Sequence, residues 1–331
     1  MKIPHRIARL TRQWMIAAAT GAALATSAGV AFAQTDKPVV RILVGFPAGA
    51  GTDNLARIYA EALNEITGMP TIVENKPGAG GQIAAQALKH ASAESNTLMF
   101  TVDHQVVMLP LITKTPGFDV KKDMIPVARI VNFYTCLAVP ASSPAKDFQS
   151  YVAMVRKQPE LGNFGIPASG SQPQFVGFVI SQHYKISMNP IAYRGAAPAI
   201  VDVVGGHVPA VIVPCDGLIE YRKSGIVRVL AMASDKRYQA MPDVPTFAEL
   251  GVKMPADSFL GVYAATSIKP ELLRQINDAT RKMFDSPKTL QKFSATNMEP
   301  AYANAEELQR IVDKGTEFWG EQVRKSNFQA Q

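Results

Sequence analysis

Residues 39–67, VVRILVGFPAGAGTDNLARIYAEALNEIT, decide the fold class. The apolar run ending at Phe46 reads as a buried strand, and the glycine-rich turn PAGAG follows it. Leu55, Ile58, Ala62 and Ile66 then recur at three- and four-residue steps, which predicts a helix over 52–67 with one buried face. Thr52 or Asp53 is the expected cap at its start, and Gly68 is expected to end it. Further out, TIVEN at 71–75 leads through KPGAGGQ to an alanine-rich helix over 82–90 and to the strand TLMFTV at 97–102. Strand, helix, strand, helix, strand at this spacing predicts two consecutive parallel crossovers.

After Asp103 the rhythm breaks at a Pro- and Lys-bearing connection over 110–126, and a long strand, IVNFYTCLAVP, follows at 130–140. A second alternating set is then predicted. Its helices cover 145–157, 174–184, 197–204 and 216–224, between the strands GNFGI, PIAYR, VPAVIV and VRVLAMAS. FLGVYAA at 259–265 is expected to return the chain to the first set, with helices over 270–284 and 305–325 completing it. Two αβ lobes are implied: the first made of 34–134 and 258–331, the second of 135–257, joined by two crossing segments.

Composition narrows the class. The 331 residues are 47% hydrophobic and 18% charged, with 23 Gly, 23 Pro and two Cys, which excludes a disordered, collagen-like or disulfide-stapled chain. The formal charge of +7 suggests nucleic acid, but Lys2, Arg6, Arg9 and Arg12 supply four of the 34 bases. Without them 30 bases face 27 acids, and a chain at +3 has no electrostatic claim on phosphate backbones. Those bases open a segment that continues into MIAAATGAALATSAGVAFA and ends at Ala31, Phe32 and Ala33. Residues 1–33 therefore read as a secretory signal cleaved after Ala33, and the mature chain is expected to be a periplasmic monomer. In such a compartment Cys136 and Cys215 are either paired or simply two small buried hydrophobes.

Two glycine-rich loops follow parallel strands and open helices, where free backbone N–H groups and the helix dipole favour an anion. Neither is a nucleotide loop. The dinucleotide pattern needs glycine at 54 or 83, which are Asn54 and Ile83, and neither loop has the Gly-Lys-Ser/Thr of a P-loop. A third loop, IPASGSQ at 166–172, stands in the same position in the second lobe. Ser169 lacks the glycine two residues earlier that a nucleophile elbow requires, since Pro167 is there, so it reads as a ligand contact or a helix cap. The histidines have no zinc spacing, and only His104, beside Asp103 in VDHQ at the end of the third strand, falls where a ligand is expected. Arg194 reads as a ligand partner or a solvated charge, and Asp216 as an acceptor for a ligand donor or a cap of its own helix. No catalytic residue, metal or cofactor is expected. The rival reading is an exported hydrolase using Ser169 or Ser171.

The segments VRILVGFPAGAGTDNLAR, VENKPGAGGQIAAQAL, YRGAAPAIVDVVGGHV and SDKRYQAMPDVPTFAELG occur in the order seen in the Bug family, the periplasmic solute-binding proteins of tripartite tricarboxylate transporters. The resemblance covers the chain after the signal. It implies a type II periplasmic-binding-protein fold, two αβ lobes with a cleft and two crossing hinge strands, closing on a small carboxylate held by backbone amides and handed to membrane transporter subunits. By position it implies one ligand loop at Phe46, Pro47, Ala48, Gly49, Ala50, Thr52 and Asp53, and a second at Gly78, Ala79 and Gly80. In the other lobe it implies Ala168, Ser169, Gly170 and Ser171, then Tyr193, Gly195 and Ala196, and an acidic position at Asp216. The chain departs from the family pattern at Ala50, where a second adjacent glycine is common, at Phe175, where histidine is common, and at 94–97, where Pro-Asp-Gly-Tyr is usual. Phe46, Phe175 and Tyr193 suggest an apolar or aromatic portion in the ligand. Delivery to a membrane sensor is the alternative to delivery to a transporter.

Overall fold

A computed structural model describes residues 37–255 and 258–330; the proposed signal over 1–33 lies outside them. The first predicted crossovers are present: β1 (Val40–Val44), α1 (Gly51–Thr67), β2 (Thr71–Asn75), α2 (Gln82–Lys89) and β3 (Thr97–Val102), with β1 parallel to both β2 and β3. Helix α1 forms because Leu55, Ala56, Tyr59, Ala60 and Leu63 share a face and are buried against the sheet. It ends as expected at Gly68, whose left-handed conformation (φ 66°) lets its N–H reach the Asn64 carbonyl. Its start differs from expectation. The cap residue is Ala50, and Asp53 lies inside the first turn, where its carboxylate serves the preceding loop.

Short helices α3 (Leu109–Ile112) and α4 (Val120–Asp123) lead to β4 (Met124–Phe133). The expected strand over 130–140 is two strands. β4 ends at Phe133, and β5 (Thr135–Pro140) begins after Tyr134 in a different sheet. Around β5 the second lobe places α5 (Phe148–Lys157), β6 (Asn163–Ile166), α6 (Gln172–Tyr184), β7 (Asn189–Ala192), α7 (Ala196–Val204), β8 (Ala210–Pro214), α8 (Ile219–Lys223) and β9 (Val227–Ala233). The chain returns through β10 (Ser258–Ala265), α9 (Pro270–Met283), α10 (Pro287–Ser294), β11 (Glu299–Asn304) and α11 (Ala305–Lys325). The sequence reading did not anticipate α10 or β11.

The six-stranded sheet has the order β11-β4-β10-β3-β1-β2 and the five-stranded sheet the order β7-β6-β8-β5-β9. Both are mixed: β10 runs antiparallel to β3 and β4, and β5 antiparallel to β8 and β9. The two segments that pass between the sheets lie side by side, with Ser258 opposite Phe133 and Thr135 opposite Ala233. From Val39 onward the chain is one compact unit, and one apolar cluster runs from Leu43 and Met99 in the first lobe to Phe164 and Ile212 in the second. Cys136 on β5 and Cys215 after β8 form a disulfide, which answers the question the sequence left open. No helix among the described residues is long and apolar enough to cross a membrane.

Candidate ligand-binding site

The first loop is shaped by a carboxylate. Asp53, 2% exposed, accepts the Gly49 N–H at 2.8 Å, the Asn75 amide at 2.8 Å and Arg57 Nε at 3.0 Å, and Asn75 also donates to the Phe46 carbonyl. Burial would push this carboxyl up, but Arg57, the Gly49 N–H and Asn75 together hold it below its ordinary range. Gly49 and Ala50, expected as ligand donors, are thus engaged internally, Ala50 through its N–H to the Pro47 carbonyl. The donors left over are the first-turn N–H groups of Gly51, Thr52 and Asp53, which have no partner among the described residues.

In the second loop Gly78, Ala79, Gly80 and Gly81 all have positive φ (131°, 46°, 64° and 98°), and Ala79 is the one that carries a Cβ. The turn is closed by the Gly81 N–H on the Gly78 carbonyl, which leaves the N–H groups of Gly78, Ala79 and Gly80 unspent on an exposed stretch. Gln105 joins the two loops. It is fully buried, donates from Nε2 to the Gly81 carbonyl at 3.1 Å, and accepts the Thr101 hydroxyl and the Val102 N–H. A Cβ on Gly45 would lie 2.4 Å from the Gln105 amide and 2.8 Å from Gly81 Cα, so only glycine lets the loops approach this closely. The sequence reading missed Gln105. Its signal was a single amide that closes VDHQ, immediately before the apolar run VVMLPLI.

His104 opens a wide turn, closed by the Leu109 N–H on its carbonyl, and its Nε2 lies 3.3 Å from where a Cβ on Gly80 would stand. Burial pushes its pKa down to about 4, so the imidazole is a neutral donor or acceptor beside the second loop. Asp103 sits next to it but is engaged elsewhere, by the His104 backbone N–H at 2.8 Å; burial pushes this carboxyl up to about 7.

In the second lobe, β6 lies between β7 and β8, so the loops after all three are neighbours. The loop after β6 is closed by the Gly170 N–H on Gln174 (2.8 Å) and by the Ser171 N–H and hydroxyl on the Ala168 carbonyl (3.2 and 2.6 Å). Ser169 is exposed, and its hydroxyl and N–H have no partner among the described residues, so it does not cap α6. No histidine meets either serine hydroxyl among the described residues. Tyr193 spends its hydroxyl on Asp202 (2.7 Å) and packs its ring over Gly165; burial, and then Asp202, push it up to about 12. The Gly195 N–H on the Pro167 carbonyl ties this loop to the serine loop, leaving the N–H groups of Ala196 and Ala197 free at the start of α7. Asp216 follows the disulfide and is pushed up by burial against the pull of its own and the Gly217 N–H; its Oδ1 is buried without a hydrogen bond. Phe175 does not stand in the site. It is fully buried in α6 and packs on Phe328, because it falls on the helix face turned to the C-terminal segment. Arg194 is exposed and has no ion-pair partner among the described residues.

Two short segments link the halves. Leu109 touches Gly80, and Ile112 at the other end of α3 lies 2.7 Å from a Cβ built on Gly170. On the other side Met298 lies 4.0 Å from a Cβ built on Gly51, the Asn297 carbonyl accepts the Tyr238 hydroxyl at 2.6 Å, and Tyr238 packs against Tyr134 in the first crossing.

Two sheets joined by paired crossings, each carrying amide-rich strand-to-helix loops, have the architecture of a two-lobed solute-binding protein. The chain belongs to the family described as the tripartite tricarboxylate transporter family receptor, whose model matches residues 55–328. It is 32% identical to the UPF0065 protein in the gbd 5′ region of Cupriavidus necator, over 94% of each chain. It is 28% identical to Protein BugT of Bordetella pertussis, over 87% of this chain and 89% of that one. Among solved structures, R. palustris Rpa4515 with adipate superposes with a TM-score of 0.77 at 24% identity, over 89% of this chain and 98% of that one. Among the described residues no group of His, Cys, Asp or Glu could hold a metal ion.

Proposed function

We propose that the chain captures a small carboxylate between its lobes in the periplasm, as a monomer freed from a signal ending at Ala33, and delivers it to a tripartite tricarboxylate-type membrane transporter. The lobes would be 34–134 with 258–331 and 135–257, turning about the paired crossings. The observation that carries this reading is the set of unspent N–H groups at Gly51, Thr52, Asp53, Gly78, Ala79, Gly80, Ser169, Ala196 and Ala197, on the loops after the adjacent strands β1 and β2 of one sheet and the adjacent strands β6 and β7 of the other. Amides of this kind hold an oxyanion without a cation. Of the charged groups nearby, Arg57 serves Asp53 and His104 is uncharged, whereas Arg194, beside Gly195, stands exposed. Rpa4515, of the same fold, is the protein solved with adipate, which makes a dicarboxylate the first ligand to try. Asp216 would face a donor on the far end of the ligand.

The test is a thermal-shift series with adipate, malate, citrate and benzoate. Binding at 100 times Kd stabilises a protein by about 2.7 kcal/mol, so a matching acid raises the melting temperature by several degrees and the others do not. No shift with any organic acid, together with labelling of the folded chain by a serine-reactive probe, would replace this reading with the hydrolase.

A further inference from the structure

The stretch SDKRYQAMPDVPTFAELG at 234–251 supplies none of the ligand loops, and its first part, 234–245, forms an arm. The arm leaves the second lobe at the end of β9 and returns beside it, where the Met232 N–H donates to the Pro245 carbonyl at 3.0 Å and the Phe247 N–H to the Met232 carbonyl at 2.8 Å. Its base is thereby closed. Between these points Tyr238, Met241 and Val244 are buried in the apolar cluster that holds Cys136, Val213 and Val229. Arg237 donates from Nε to both Glu249 oxygens at 3.0 and 3.1 Å and reaches the Pro242 carbonyl at 3.2 Å. The arm is therefore fastened to the second lobe along its length.

The tip of the arm is tied to the first lobe. The Tyr238 hydroxyl donates to the Asn297 carbonyl at 2.6 Å, and Lys236 Nζ donates to Glu299 Oε1 at 2.5 Å. The other Glu299 oxygen accepts the hydroxyl of Tyr134, the residue between β4 and β5, and the Tyr134 ring packs on Tyr238 with centroids 5.2 Å apart. Glu299 opens β11 opposite Asn132 of β4, so these ties end on the first sheet. Met298, between the two tied residues, lies 4.0 Å from a Cβ built on Gly51 of the first ligand loop. The lysine pair is the weaker tie, because the Lys236 side chain is 66% exposed and water screens it. The tyrosine hydroxyls are the stronger ones: both rings are buried, and one bond ends on a carboxylate.

We propose that the 234–245 arm is a strap across the hinge that holds the two lobes near one angle, with Tyr134, Tyr238 and Glu299 as its positioning residues. A rotation about the crossings carries the whole arm with the second lobe, because its base is closed. Such a rotation must break the contacts to Asn297 and Glu299 or drag 297–299 away from Gly51. Confining the lobes lowers the conformational cost that a solute meets when it draws them together. A strap confines them with or without a solute, so its test is separate from the carboxylate reading.

Spin labels at Ile72→Cys on β2 and Val201→Cys on α7 report the angle in ligand-free protein: β2 and β7 are the sheet edges away from the crossing strands, and both side chains are exposed. Cys136 and Cys215 are buried in their disulfide and take no label. Pulsed dipolar spectroscopy should give one narrow distance distribution in this labelled parent. Tyr238→Phe and Glu299→Gln, each close in shape to the residue it replaces, should widen or shift that distribution, and the two together should do so more than either alone. Lys236→Met should have a smaller effect and add nothing to Glu299→Gln, since both cut the same pair. Melting temperatures of the same samples confirm that each variant is folded. A distribution already broad in the parent, one unchanged in both Tyr238→Phe and Glu299→Gln, or full additivity of Lys236→Met with Glu299→Gln would overturn the strap.

Discussion

Gly78 shows how a ligand loop depends on a single missing side chain. At φ 131°, with Ile83 Cδ1 2.5 Å from where a Cβ would stand, a side chain there must both strain the backbone and displace Ile83. Gly78→Val is expected to leave the melting temperature of the ligand-free protein within a few degrees and to abolish its rise with the acid that wild type binds. A full ligand-induced rise in the variant would remove this loop from the site. Residues of this kind were readable in the sequence, because glycine clusters after strands have a direct geometric meaning. Asp53 was not. Its position matched a ligand contact, but the Asn75 and Arg57 that occupy it come together only once β2 lies beside β1. Gln105 and Phe175 were hidden for the same reason: what each touches is set by tertiary packing.

Among elements, periodic ones were legible and conditional ones were not. Helices α1, α9 and α11 present amphipathic faces that any packing would bury. The break at Tyr134 between β4 and β5 has no local signature, since both strands are apolar and continuous in sequence; it exists because each pairs in a different sheet. Strand β11 was missed because EPAYAN opens with Glu and Pro, and it gains its place only as an edge beside β4. The Cys136–Cys215 bridge belongs at this scale. It ties β5 to the turn holding Asp216, across 79 residues of chain. Closing a loop of that length stabilises by roughly 2–5 kcal/mol in the chain-entropy account. Reduction, or replacement of both cysteines by alanine, is expected to lower the urea midpoint accordingly, and an unchanged midpoint would show that the bridge adds nothing to the packing already there.

At the scale of the molecule, the division into two αβ sets was visible in the alternation of elements, but their mutual contact was not. One apolar cluster spans both sheets, so relative motion is confined to a rotation that preserves it. Ligand capture should then appear as a small contraction. With the acid identified by thermal shift, the radius of gyration from small-angle scattering should fall by about 1 Å or less, and a clear expansion would contradict closure between the lobes.

Phe328 stands three positions from the last residue of the chain and is seated between the halves. An affinity handle or fluorescent reporter fused to that end would pull on the same anchor, whereas one joined ahead of Lys37 would not. Preparations tagged at opposite ends are therefore not interchangeable, and affinities measured on them should be compared only after the fusion has been cut away.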